Sequence, residues 1–223
     1  MEDRVITQIG SLPFEDVGQA IKYSLAHDIP FLPELPKLGD NMTEYIKKPG
    51  SLSCLSKFKQ HQFDVVKVQS IGPATMIMIG YSEDEAIERI YNHVSEIIKD
   101  LTAEEIILFL DEPALGRAGF NYHDAWEATF SSFDVIRGVH CCGNMDWDIL
   151  FKSSLIDIVS FDASQFDITA YPFYRNRKKI AWGVEEEDKI RDFQKGDLIT
   201  LPCGMSPLKY LPIRCPSELI KLQ

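Results

Sequence analysis

The feature that most constrains the fold is a series of short apolar runs that alternate with segments of helical spacing. Eight such runs along the 223 residues are typical of β-strands, and most are followed by a helical pattern. Strands that alternate with helices indicate a parallel sheet covered by helices. The runs are Val5 to Leu12, Ile29 to Leu32, Phe63 to Ile71, Glu105 to Leu110, Asp134 to Cys142, Asp157 to Ala163, Lys179 to Val184 and Asp197 to Pro202.

Eight strand and helix units predict a (β/α)8 TIM-type barrel. Because roughly 250 residues are typical of that fold, this chain must be a compact version with shortened loops. An open doubly wound sheet is the alternative architecture. The clearest helix follows Ser82, which has the spacing of a capping box with Glu85. We find no repeat or linker, so we predict one domain over residues 1–223, ending in a short helix from Pro216 to Leu222.

The net charge of −11 argues against nucleic acid or an anionic membrane as the main partner, because both are bound by basic patches. The longest apolar runs are strand-sized, and the charged start Met1 to Arg4 does not have the pattern of a signal peptide. We therefore expect a cytoplasmic protein. Its five cysteines show no regular spacing, so we expect no disulfide framework.

Polar residues recur where the apolar runs end. In a barrel, the carboxyl ends of all strands lie on one rim, and that rim carries the active site. The sequence therefore predicts that these residues come together around one site. They are Ser11, Glu34, Asp111, His140, Cys142, Asp162, Glu185 and Cys203.

His140 and Cys142 are two residues apart at the end of a strand, so their side chains share one side and Cys141 faces away. Asp162 and Cys203 end two later strands. Two thiolates and an imidazole favour zinc. From the residues alone, an incidental pairing of His140 and Cys142 stays open.

Two acidic positions are further candidates. Asp111 and Glu112 follow a fully apolar run, and they are either solvated at the rim or hold a cationic group. Glu34 lies between Pro33 and Pro36, in a rigid loop that presents one acid or in a simple surface turn.

Several segments together resemble a known family. They occur in the same order in the catalytic domain of cobalamin-independent methionine synthase, which belongs to a superfamily with uroporphyrinogen decarboxylase. The segment from Glu34 to Tyr45 also resembles one that carries a substrate-binding Glu in that family. The matching segments are Thr7 to Pro13, Gly72 to Thr75, Asp111 to Leu115, the pair His140 and Cys142, and Pro202 to Gly204.

The resemblance implies a (β/α)8 barrel with zinc on its rim, held by His140, Cys142 and Cys203. The fourth ligand of the family is a Glu, and Asp162 occupies the corresponding place here. The resemblance also implies that homocysteine is the methyl acceptor. Its carboxylate would be held by Ile9 and Ser11 and its ammonium by Glu34 and Asp111, and we predict the two acids as the catalytic residues.

The chain also departs from the family. No His follows Gly183 and Val184, where the family has an Asp-x-His motif, and Met76 to Gly80 replaces an aromatic segment that stacks the folate donor. A corrinoid protein is therefore favoured over folate as the methyl donor. Two alternatives remain, namely methyl transfer from a corrinoid to another thiol, and a non-catalytic barrel that binds zinc or a thiol as a partner subunit.

Overall fold

The computed structural model describes residues 4–115 and 122–204. It is an α/β fold built on one curled parallel sheet, so the parallel arrangement expected from the alternating pattern is confirmed. The strands are β1 (Val5–Ile6), β2 (Gln62–Ile71), β3 (Thr102–Asp111), β4 (Ile136–Cys141), β5 (Ile158–Asp162), β6 (Lys179–Gly183) and β7 (Leu198–Thr200). The α-helices are α1 (Val17–Leu25), α2 (Met42–Tyr45), α3 (Leu55–Phe58), α4 (Pro73–Met78), α5 (Glu83–Ile98), α6 (Tyr122–Phe130) and α7 (Asp148–Lys152).

The sheet has seven strands in the order β1-β7-β6-β5-β4-β3-β2, so the expectation of eight strands is wrong for the described residues. The run from Ile29 to Leu32 forms only an isolated bridge, between Phe31 and Lys67. Pro30 and Pro33 flank that bridge and lack the N–H groups that a ladder needs. The first predicted strand is likewise reduced to Val5–Ile6.

The segment 29–34 nevertheless makes hydrogen bonds to the chain at both edges of the sheet. On one side, Ile29 N donates to Ile6 O over 3.2 Å and Glu34 N donates to Gly10 O over 2.8 Å. On the other side, Leu32 N donates to Lys67 O over 2.9 Å. The segment therefore lies between β1 and β2.

The two faces of the sheet differ in size and polarity. The outer face packs against the helices in the main hydrophobic core, with residues such as Leu108, Val139 and Trp182. The inner face carries a smaller apolar cluster that includes Ile107, Phe109, Ile158, Ala181 and Leu198. This alternation follows from the period of two in a strand.

Along the inner face, apolar side chains give way to polar ones towards the carboxyl ends of the strands. On β3, Phe109 is followed by Asp111, and on β5, Ile158 is followed by Ser160. Phe109 fits inside because its neighbour Gly138 has no side chain, since a Cβ there would lie 2.1 Å from the ring. The buried polar groups are thus concentrated at one end of the sheet.

The helices are fixed by local signals. Asp16 caps α1 by accepting a hydrogen bond from Gln19 N over 2.7 Å. Ser82 and Glu85 form the predicted capping box at the start of α5. None of the helices in the described ranges is long and apolar enough to cross a membrane. The predicted helix from Pro216 to Leu222 lies outside the described residues, as does one of the five cysteines, Cys215.

Candidate metal and acceptor site

Three of the four predicted metal ligands lie together. The nearest ligand atoms of His140, Cys142 and Cys203 are all within 4.8 Å of one another. His140 is on β4, Cys142 directly follows that strand, and Cys203 follows β7. The carboxyl ends of parallel strands therefore bring together residues that are about sixty positions apart, as the rim argument predicts.

The orientation of His140 suits a metal ligand. Its Nδ1 lies 3.0 Å from the hydroxyl of Ser160 on the neighbouring strand β5. Its Nε2 is buried and has no hydrogen-bond partner among the residues that the structure describes. A ring held through one nitrogen with the other left unpartnered is the usual arrangement of a metal-binding histidine. Ser160 was not among the residues predicted from the sequence.

The two thiols of the group differ in the direction of their pKa shifts. Interactions with Cys142 and His140 lower the pKa of Cys203 well below its usual range. The same contact with Cys203, together with burial, raises the pKa of Cys142. The geometry therefore already favours one thiolate, which is the form that binds a soft metal ion.

Asp162 is not part of this three-residue group. Its Oδ1 accepts a hydrogen bond from Ser164 N over 2.9 Å and another from the Ser164 hydroxyl, and its Oδ2 accepts one from the Gln165 amide. Its carboxylate therefore stabilises the turn that follows β5. Cys141 is buried in the outer core, as expected for a side chain that faces away from Cys142.

The predicted acids Glu34 and Asp111 are both buried at the same end of the inner face. Ser11 Oγ donates to Glu34 Oε2 over 3.3 Å, whereas Glu34 Oε1 and Asp111 Oδ1 are buried without a hydrogen-bond partner within residues 4–115 and 122–204. Burial, and then the negative charge of Asp111, raise the pKa of Glu34 to about 8. Burial also raises the pKa of Asp111. The site thus holds two carboxylates with unused acceptor capacity.

Glu112 behaves differently from its neighbour Asp111 because the two side chains face opposite sides of the sheet. Its carboxylate accepts hydrogen bonds from the N–H groups of Ala74 and Thr75, from the Thr75 hydroxyl and from the Trp126 indole. Glu112 is therefore a structural group at the start of α4, and only Asp111 belongs to the candidate site.

Sequence reasoning missed Lys67 and Gln69, which lie on the inner face of β2. Lys67 is fully buried, and its ammonium donates to Gln69 Oε1 over 2.8 Å. The alternation of Val66, Lys67, Val68 and Gln69 is the signal that could have found them, because the two polar residues share one face. Thr200 on β7 was also missed, and its hydroxyl is buried without a partner.

A pocket of about 440 Å³ is lined by Ser11 and Glu34. Ile9 is buried beside this turn. Asp40 also lines the pocket, but its carboxylate stabilises the local chain, because it accepts hydrogen bonds from Leu35 N and from Ser53. The pocket therefore leads from the surface to the buried carboxylate of Glu34. Its other lining residues are Pro36, Asn41, Met42, Thr43 and Glu44.

Comparison of the chain with protein-family models, with curated proteins and with solved structures finds no match.

Proposed function

We propose that this protein is a zinc-dependent methyltransferase that moves a methyl group to a thiol, with homocysteine as the acceptor. The observation that carries the proposal is the convergence of His140, Cys142 and Cys203 within 4.8 Å. One imidazole and two thiols are a donor set that zinc prefers, and catalytic zinc sites typically use three protein ligands and leave one position for substrate. The unpartnered Nε2 of His140 and the lowered pKa of Cys203 fit this set.

His140, Cys142 and Cys203 would hold the zinc ion. Zinc bound there would stabilise the acceptor sulfur as a thiolate near neutral pH. The protein supplies the positioning. Ser160 holds the His140 ring through Nδ1, and the three proposed ligands lie at the end of the inner face where the acceptor sulfur would bind.

The acceptor would be held by the predicted cradle of Ser11, Glu34 and Asp111. Buried oxygens of both acids lack a partner, and an ammonium group is a donor that satisfies them. Asp111 is also close to the metal-ligand group, because it is the register partner of His140 on the adjacent strand. An amino acid with a thiol side chain can therefore reach both parts of the site.

We also propose that the fold is a compact (β/α)8 TIM-type barrel in which the segment 29–34 takes the place of the eighth strand. Its hydrogen bonds to the chain at both edges of the sheet support this interpretation. So does the concentration of polar groups at the carboxyl ends of the strands, where barrel enzymes carry their sites.

A corrinoid is proposed as the methyl donor. The stretch after β6 runs from Val184 into the acidic residues Glu185 to Asp188 and contains no histidine. At the end of α4, Met78 and Ile79 are exposed where the family stacks a folate ring. An apolar, open rim suits a large donor presented by another protein better than a small folate.

Two assays on the zinc-loaded protein test the proposal. Titration with homocysteine should release a proton as the thiolate forms, and methylcobalamin should then support formation of methionine. Methyltetrahydrofolate serves as the competing donor. In Cys203→Ala, the rate should fall by at least roughly 100-fold, because the acceptor sulfur is no longer activated.

Cys141→Ala is the matched control for these assays, since this thiol is adjacent in sequence but lies in the outer core. Methylation of another thiol instead of homocysteine would favour the related transferase activity. Zinc and thiol binding without proton release or methylation by either donor would leave a non-catalytic partner subunit as the better account.

A further inference from the structure

Lys67 is a buried charged residue of the inner face that the proposed mechanism does not use. It lies on β2, is completely buried, and has its ammonium 4.7 Å from the centre of the Phe109 ring. Burying a lysine is costly unless its charge is compensated. Burial lowers the pKa of Lys67 to about 8, and the charges of Asp111 and Glu34 act against that change. The two carboxylates of the acceptor cradle therefore stabilise the Lys67 ammonium.

Lys67 is also connected to the turn that forms the cradle. The Gln69 side-chain oxygen accepts from the Lys67 ammonium over 2.8 Å and from Gly10 N over 2.7 Å. A Cβ at Gly10 would come within 2.8 Å of the Gln69 amide, so the chain approaches closely at this point. The next residue, Ser11, donates to Glu34. Lys67 thus acts on Glu34 both through its charge and through Gln69.

The charges of the cradle leave room for one more cation. Two carboxylates and one ammonium carry a single net negative charge when all are ionised. The unpartnered oxygens on Glu34 and Asp111 are the acceptors that remain.

We infer that Lys67 is a positioning residue of the acceptor site: it holds Gln69 against the turn at Gly10, and its ammonium offsets one of the two cradle carboxylates, so that the cradle selects a thiol bearing one ammonium group. This inference rests on the proposed function.

Other groups that face Glu34 come from three elements. Asp111 on β3 and Tyr45 on α2 interact with it electrostatically, as does Lys67 on β2. Among these, Lys67 is the group whose charge counteracts the effect of burial on Glu34. Removing that charge should make Glu34 protonate at a higher pH, which weakens its interaction with an ammonium group.

Calorimetric titration of the zinc-loaded full chain tests the inference. The probes are L-homocysteine and 4-mercaptobutanoate, which is homocysteine without its amino group. Their affinity ratio isolates the ammonium interaction from binding of the sulfur. The variants are Lys67→Met and Lys67→Gln, and Lys57→Met is the control because Lys57 is exposed on α3. Lys67→Gln retains a donor for Gln69 and replaces the Met variant if that one does not fold.

The wild type should prefer homocysteine by at least about tenfold. Both Lys67 variants should bind 4-mercaptobutanoate within about twofold of wild type, lose about tenfold in homocysteine affinity near pH 6.5, and regain most of it near pH 8.5. Lys57→Met should behave like the wild type.

Three results would overturn the inference. Lys67 variants that keep the wild-type preference at both pH values would show that the lysine does not act on the acceptor. Equal loss of both thiols would show that it only supports the fold. A wild type that binds both thiols equally would remove the ammonium subsite but leave the thiol site standing. A wild type that binds neither thiol would instead contradict the proposed function itself.

Discussion

The Nδ1 atom of His140 lies 3.0 Å from the hydroxyl of Ser160, its partner on the adjacent strand. This contact occupies Nδ1, so that Nε2 is the nitrogen of His140 left for the group with Cys142 and Cys203. A serine that nothing in the motif pattern singled out thus holds the ring of the first proposed ligand.

Ser160→Ala should lower the zinc affinity by about tenfold, because the His140 ring loses the hydrogen bond that fixes its orientation. Competition for zinc with a chromophoric chelator measures this. Ser70→Ala is the control, since Ser70 is a buried serine on the other face of β2. An unchanged zinc affinity in Ser160→Ala would show that His140 needs no support from β5.

Asp162→Asn should retain zinc with an affinity within about threefold of wild type, because its carboxylate is already bonded to Ser164 and Gln165. The same chelator competition measures the effect, with Cys203→Ala as the reference for loss of a ligand. If Asp162→Asn loses zinc as Cys203→Ala does, Asp162 is the fourth ligand, as the family resemblance implies.

Glu112→Ala should destabilise the fold by about 3 kcal/mol, because four buried donors lose their acceptor at once. Urea denaturation followed by circular dichroism measures the change in the free energy of unfolding. The zinc content should not change, since Glu112 faces away from the site. A loss below about 1 kcal/mol would mean that water replaces the carboxylate.

His93 predicts a specific dependence of stability on pH. It is buried on α5 and stacks on Tyr45 with ring centroids 4.3 Å apart, and in the described part of the chain neither ring nitrogen has a hydrogen-bond partner. Burial lowers its pKa to about 4 in the folded state, from an ordinary value of 6.5. Between these values the unfolded chain binds a proton that the folded chain does not, so stability falls as the pH drops below 6.5.

His93→Phe removes this proton-linked loss. The unfolding free energy of His93→Phe minus that of wild type should therefore increase by about 1.4 kcal/mol for each unit by which the pH falls from roughly 6 to 4.5. Urea titrations of both proteins over that range measure the difference, and effects of the other titrating groups cancel. A difference that does not change with pH would show that His93 becomes protonated within the fold.

The sequence was sufficient for those parts of the molecule in which local pattern and tertiary structure agree. Apolar runs alternating with helices predicted the parallel sheet, and the positions of His140, Cys142 and Cys203 at strand ends predicted their convergence. It was insufficient where proline interrupts a strand: the run from Ile29 to Leu32, predicted as a short strand, forms only an isolated bridge at Phe31.

Side-chain roles were harder to predict than positions. Asp111 and Glu112 have the same chemistry in the sequence, and only the sheet geometry separates a site residue from a structural one. Lys67 lies in a predicted strand, but only the fold shows that it is buried on the inner face, where the charges of Asp111 and Glu34 act on it. Asp162 has the right position for a ligand, but local hydrogen bonds from Ser164 and Gln165 compete for its carboxylate.

The most direct test of the account is the zinc content of the purified protein, measured by elemental analysis in wild type, His140→Ala, Cys203→Ala and Cys141→Ala. We expect about one zinc per chain in wild type and in Cys141→Ala, and loss of most of the zinc in His140→Ala and Cys203→Ala. Absence of zinc from the wild type, even after refolding with the metal present, would contradict it.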